Sequence, residues 1–247
     1  MSTRYDCRDS RWRTAGVDAA VAAARAGELI VLPTDTVYGI GADAFIPAAV
    51  TTMLAAKGRG RNMPPPVLVG TARAAAALVD DLGAFGQDLI DEFWPGALTL
   101  VFRASPTLLW DLGDTKGTVA LRTPVHPVAL DVLTQPGPLA GSSANRTGQP
   151  AATTADEAQQ QLGEAVSVYL DGGPCTDNIP STILDLTGTI PTLLRTGAIP
   201  VDRLRTVASV IADNERTGST GGTEFKPAAP HGRRRRWWTT SGRSGRT

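Results

Sequence analysis

Short apolar runs bounded by glycine, proline and hydroxyl residues set the rhythm of this chain. VDAAVAAARA at 17–26 has helical composition and is closed by Gly27. ELIVLP at 28–33 reads as a short buried strand stopped by proline. TDTVYGIGADAF then reads as a glycine-bearing loop, and PAAVTTMLAAK at 47–57 as a second helix with Pro47 at its start. Further strands are expected at 66–70, 97–103, 118–122, 139–143, 166–172, 181–186 and 192–195. Helices are expected at 71–79, around 85–93, and near 127–134, 153–162 and 201–212. Helices and strands alternate at first, then strands crowd together, which points to an α/β domain with a mixed sheet.

The length of 247 residues and a hydrophobic share of 42% are enough for a substantial core. No window approaches the apolar length of a membrane span, and the charged MSTRYDCRDSRWR start is not a secretory signal. Two cysteines, Cys7 and Cys175, in such a chain read as reduced thiols, and the expected location is the cytoplasm. The formal net charge of zero hides an asymmetry. Residues 214–247 carry eight Lys/Arg against two Glu, which leaves 1–213 at a net −6. The expected organisation is one globular domain over 1–213 and a disordered basic tail over 214–247.

Against that acidic body, KGRGRNMPPP at 57–66 concentrates Lys57, Arg59 and Arg61 between glycines and stiffens the chain with three prolines. Glycines admit close approach of a ligand to the backbone, and arginine forks suit phosphate oxygens. Other apolar runs end in hydroxyls or arginine: Thr34 and Thr36, Arg122, Ser142, Ser143 and Asn145, Ser181 and Thr182, Arg195. In open α/β sheets ligands collect at strand ends, so these positions suggest one shared site for a polyanionic substrate. Gly39-Ile40-Gly41 does not make a dinucleotide fingerprint, because the next helix begins too late, at Pro47, to cradle a pyrophosphate. With only His126 and His231, neither a zinc site nor a serine triad is supported, no metal site is expected, and His126 reads as structural.

Seven segments in order, PTDTVYGIGADAF, AKGRGRN with VLV after it, FWPGALTLVF, TVALRTPVHP, GSSANRTGQPA, STILDL and LLRTGAI, closely resemble the YrdC/TsaC family. These are the threonylcarbamoyl-adenylate synthases of tRNA modification, and the resemblance covers about residues 14–210 in the single-domain form. It implies a twisted open mixed β-sheet flanked by helices, with a large concave ligand cleft. It also implies a nucleotidyltransferase. Threonine and bicarbonate give a carbamate, whose oxygen attacks the α-phosphorus of ATP. Pyrophosphate then leaves, and partner proteins move the threonylcarbamoyl group to adenosine beside the tRNA anticodon. Mg²⁺ is expected with the triphosphate.

Carried over residue by residue, the resemblance implies that Lys57 and Arg59 are catalytic and contact phosphate. Thr36, Arg122, Ser142 and Ser181 would bind threonine. Met63, Thr118, Ser143, Asn145 and Arg195 would join Lys57 and Arg59 in binding ATP. Met63 stands where the family has an amide, and Gly141-Ser142-Ser143 replaces its commoner Pro-Ser. The rival reading is an RNA-binding or ribosome-associated module, with weak RNA contact through the cleft or the RRRRWW tail. The net acidity of 1–213 weighs against it.

Overall fold

The computed structural model describes residues 2–175 and 178–212. The arginine-rich segment expected to be a disordered tail therefore lies outside the described residues. The chain opens with β1 (Thr3–Asp6), α1 (Ser10–Arg25), β2 (Ile30–Leu32), β3 (Gly39–Asp43) and α2 (Pro47–Lys57). Next come β4 (Val67–Leu68), α3 (Ala72–Ala76), α4 (Gly83–Phe93), β5 (Leu98–Arg103), β6 (Thr118–Arg122), α5 (Pro127–Leu133) and β7 (Leu139–Ser143). It continues through α6 (Ala155–Leu162), β8 (Val168–Asp171), β9 (Thr182–Asp185), β10 (Thr192–Arg195), α7 (Val201–Arg205) and β11 (Ile211–Ala212).

The strands form one sheet in the order β1-β8-β2-β3-β7-β4-β6-β5-β9-β10-β11. The β2/β3, β3/β7, β7/β4, β6/β5 and β9/β10 pairs are antiparallel and the rest parallel, so the expected mixed α/β sheet is present. Alternate residues of the central strands serve two cores. Ile30, Leu32, Leu68, Leu139, Val168 and Leu170 pack with α1 and α5. Leu29, Val31, Val67, Val69, Ala140 and Tyr169 pack with α2, α4 and α6. The period of two along each strand divides these residues between the faces, and helices close both sides.

Helix α1 starts seven residues before the expected 17, because the Asp9 side chain accepts the Arg11 N–H at 2.9 Å and caps it. Its buried positions Val17, Ala20, Val21 and Ala24 form the stripe that faces the sheet. Segment 39–43, read from sequence as loop, is instead strand β3, paired on both sides by β2 and β7. A Cβ on Gly41 would lie 3.4 Å from Leu139 Cδ1 and 3.6 Å from Ile30 Cγ1, ordinary packing distances, so the strand is set by its pairing and not by its glycines. At the far edge, the helix expected over 201–212 stops at Arg205, and Ile211–Ala212 pairs with β10 instead. Among the described residues, no helix is long and apolar enough to cross a membrane.

Candidate active site

Two polar groups hold most of the residues singled out from sequence, Thr118 and Met63 excepted. The first forms where α2 ends. Lys57 is 1% exposed, and its Nζ donates to the carbonyls of Ser143 and Asn145 and, at 3.4 Å, to Asn145 Oδ1. The Lys57 carbonyl in turn accepts the Thr147 N–H at 2.8 Å. The chain leaves the helix through Gly58 in a left-handed conformation (φ +64°), which glycine tolerates without strain. Arg59 comes next, and its Nη1 donates to Ser142 Oγ at 3.2 Å. Ser143 Oγ donates to Asn145 Oδ1, while Asn145 Nδ2 donates to the carbonyls of Arg146 and Gln149. The cationic segment and the end of β7 are thus knotted together. Arg61 points elsewhere, exposed and paired with Asp111 at 2.7 Å.

The second group surrounds Arg122 at the end of β6. Arg122 is 7% exposed, and its guanidinium donates in three directions: Nε to Gly96 O at 2.9 Å, Nη1 to Thr36 Oγ1 at 2.9 Å, Nη2 to Asp35 Oδ1 at 2.7 Å. Thr34 and Thr36 hydroxyls lie 3.1 Å apart, and the Cys175 thiol donates to Thr34 O at 3.4 Å. Nearby, Ser181 Oγ meets Thr99 Oγ1 at 2.8 Å and accepts Arg195 Nη2 at 3.0 Å, and its carbonyl accepts Arg195 Nε at 2.9 Å. Three strands separate β2 from β6 in the sheet, which at about 4.8 Å per step would keep them ~19 Å apart if flat. The Thr36–Arg122 bond therefore requires the β2–β3 connection to fold back across the sheet.

Gly39 joins the two groups. A Cβ there would stand 3.6 Å from Ser142 O and 3.8 Å from Thr34 Cγ2, so the hydroxyl-bearing turns approach one another over this glycine. Thr118 and Met63 fall outside the hydrogen-bonded knots. Thr118 starts β6, about 13 Å along the strand from Arg122, with its hydroxyl on Thr115 O at 2.8 Å. Met63 is half-buried, its N–H on Gly60 O at 3.1 Å. His126 caps α5, its Nδ1 accepting the Val128 N–H at 3.2 Å, as a structural histidine would. Two surface cavities of about 250 and 180 Å³ lie elsewhere, beside Arg13 and Asp131 and beside Arg4 and Asp156. The large concave cleft expected from sequence is neither of these.

Electrostatically, the site gathers cations where water is scarce. Burial lowers the pKa of Lys57, Arg59, Arg122 and Arg195 alike; for Arg195, pushed down to about 10, the nearby Arg122 charge adds to it. At Arg122 the Asp35 carboxylate acts in the opposite direction. Cations grouped in this way are a candidate place for an anion. Among the described residues no group of three or more His, Cys, Asp or Glu could hold a metal ion.

Burial first, and then Arg59, push Lys57 from 10.5 down to about 7, and its three oxygen partners oppose the shift. The unfolded chain keeps this proton up to the ordinary lysine pKa, whereas the folded chain releases it near 7. Lys57 therefore weakens the fold below pH ~7, and stability returns as pH rises toward its unfolded value. Denaturant titrations between about pH 7 and 9 are expected to show the protein gaining up to about 1 kcal/mol per pH unit over Lys57→Met. Parallel pH dependences in the two proteins would mean that Lys57 does not titrate in that window.

The chain as a whole is similar to known proteins. The Sua5_yciO_yrdC family profile, described as "Telomere recombination", matches residues 22–197. The chain belongs to the Sua5/YciO/YrdC family. Among Sua5/YciO/YrdC relatives, a Mycobacterium tuberculosis protein provisionally named threonylcarbamoyl-AMP synthase is 50% identical over 212 residues, covering 86% of this chain and 98% of its own. The Bacillus subtilis threonylcarbamoyl-AMP synthase is 35% identical over 223 residues, covering 85% of this chain but 64% of its own length. Pyrococcus abyssi Sua5, solved in complex with L-threonine, superposes with a TM-score of 0.77 at 31% identity, covering 85% of this chain and 62% of that one. The chain thus spans nearly all of the mycobacterial relative and under two thirds of the other two.

Around Arg122 and Ser181, sequence reasoning missed Asp35, Gly96 and Thr99. All three stood in the segments that carry the resemblance. Their roles appear only in contacts: Asp35 and Gly96 hold Arg122, and Thr99 holds Ser181.

Proposed function

We propose that the protein is an L-threonylcarbamoyladenylate synthase, a nucleotidyltransferase that condenses L-threonine, bicarbonate and ATP into threonylcarbamoyl-AMP, pyrophosphate and water. The product would serve the threonylcarbamoyladenosine modification of tRNA beside the anticodon, after transfer by partner proteins in the cytoplasm. Mg²⁺ would enter with the triphosphate. The observation that carries this reading is the placing of four cations from three segments, Lys57 and Arg122 buried and Arg59 and Arg195 half-buried, on adjoining hydroxyl-rich turns.

The reaction needs such a lining. The carbamate, the triphosphate and the threonine carboxylate are all anionic, and two unit charges ~4 Å apart repel by roughly 4 kcal/mol at an effective dielectric of about 20. The carbamate oxygen forms a bond to the α-phosphorus as the bond to the pyrophosphate oxygen breaks, and negative charge gathers on the leaving group. Arg59 and Arg195 would hold that charge, Arg122 the threonine carboxylate, and Thr36 and Ser181 hydroxyls the rest of the amino acid. Ser143, Asn145, Thr118 and Met63 would line the nucleotide's path, and Ser142, bonded to Arg59, would stand between the ligands. Lys57 would shape the turn at 143–145 and add its charge beneath the phosphates. Catalysis is then positioning and charge neutralisation, requiring little proton transfer from the protein.

Pyrophosphate release from ATP, measured with threonine, bicarbonate or ATP left out in turn, tests this directly. Release is expected only when all three are present. Release that continues undiminished without threonine would refute the assignment. We further propose that residues 1–213 suffice for the reaction.

A further inference from the structure

A carboxylate in a site built for anions calls for an explanation. Asp35 is that carboxylate, lying between Thr34 and Thr36. Its Oδ1 accepts both Arg122 Nη2 at 2.7 Å and the Val125 backbone N–H at 3.0 Å. The pair is well shielded, with side-chain exposures of 8% for Arg122 and 19% for Asp35. We propose that Asp35 is a positioning residue for the amino-acid end of the site: it fixes the Arg122 guanidinium and leaves one N–H on each terminal nitrogen for the substrate carboxylate. The proposal rests on the synthase reading above and names what sets its affinity for threonine.

The donor inventory supports this. A guanidinium has five N–H groups, and three are engaged among the described residues, by Gly96 O, Thr36 Oγ1 and Asp35 Oδ1. Asp35 and Thr36 are adjacent in one turn, and Gly96 belongs to a distant segment, so the plane and rotation of the fork are fixed from two sides. Gly96 is itself held, its N–H on Thr123 O at 2.8 Å, and a Cβ there would lie 2.3 Å from Phe93 O. Because Oδ1 also binds Val125 N–H, the carboxylate ties the chain that follows β6 to the turn that follows β2. A neutral partner would hold the same geometry less well. The guanidinium has lost its water, and Arg195 lies close enough to repel it, so a counter-charge is needed to keep it in place when the site is empty. An incoming carboxylate then meets a rigid fork, with little ordering left to do.

The test is Asp35→Asn, which keeps an oxygen for Arg122 and Val125 and removes only the charge. L-Threonine affinity would be read by calorimetry, and KM for threonine and for ATP by pyrophosphate release. The expected result is a rise of about tenfold or more in threonine Kd and KM, with KM for ATP changed by no more than about twofold. Unchanged threonine affinity, or equal losses for threonine and ATP, would overturn the proposal, since a merely structural role predicts no such split. If Asp35→Asn does not fold, Asp35→Glu must show the same threonine-selective loss for the proposal to stand. The unaltered protein, run in parallel, separates the two claims. Threonine-dependent release with a normal Asp35→Asn variant sinks this inference alone, whereas release indifferent to threonine removes both.

Discussion

Arg59→Ala is expected to cut threonine- and bicarbonate-dependent pyrophosphate release by roughly 10²–10³-fold, the size of effect seen when one preorganised charge-stabilising donor is lost. The fold should survive. Arg59 is half-buried, reaches Ser142 Oγ at 3.2 Å, and pays for its burial in a lowered pKa, so removing it also relieves a desolvation cost. Arg59→Lys is expected to recover only a minor part of the rate, because an ammonium cannot reproduce a two-pronged grip on phosphate. Lys57→Ala should behave differently. It would take the Nζ donor from the Asn145 carbonyl and one of two donors from the Ser143 carbonyl, which also accepts the Asn145 N–H at 2.9 Å, so its loss of activity should come with a lower melting temperature. Steady-state release assays beside thermal melts would separate the two residues. Full activity in Arg59→Ala would remove Arg59 from the phosphate site.

The contrast between these neighbours shows what a sequence can and cannot reveal. Lys57 and Arg59 look alike in KGRGRN, two cations between glycines. Burial distinguishes them, and burial depends on where β7 ends, some eighty residues later. Strands rich in apolar or branched residues were legible to the residue, 118–122 and 192–195 matching β6 and β10, and 139–143 matches β7 although LAGSS holds only Leu139 and Ala140 as apolar side chains. Strand β3 was not, because Gly39 and Gly41 break the apolar run by which a strand is read, and its pairing with β2 and β7 exists only in the assembled sheet. Strand β1 was missed because TRYD is mostly exposed and lacks an apolar run, yet it pairs in parallel with β8 from Thr3↔Val168 onward. In the site, hydroxyls and arginines at strand ends could be seen one by one. Asp35 could not, since a carboxylate makes sense there only once Arg122 is known to lie 2.7 Å away.

Gly197→Ala should damage both fold and activity, though the residue bears no functional group. A Cβ at this position would lie 2.3 Å from Pro180 O, 2.4 Å from Ser181 C and 2.5 Å from Ser181 O, all backbone atoms that no rotamer change can clear. The 180–181 segment would have to shift, and Ser181 carries the Arg195 and Thr99 contacts. Overpacking of this kind costs about 1–3 kcal/mol, or a fall of roughly 3–10 °C in melting temperature for a chain of this size. Activity should fall further than stability explains, by about 10²-fold at a temperature where the variant is still folded, because a displacement near 1 Å at a positioned group costs that much. Gly188→Ala is the control: its nearest contact would be Ile190 O at 4.0 Å, so melting temperature and rate should stay near those of the unaltered protein. A Gly197→Ala variant matching that control would show that the turn after β10 is not seated against Ser181, and Arg195 would then lose its place in the site.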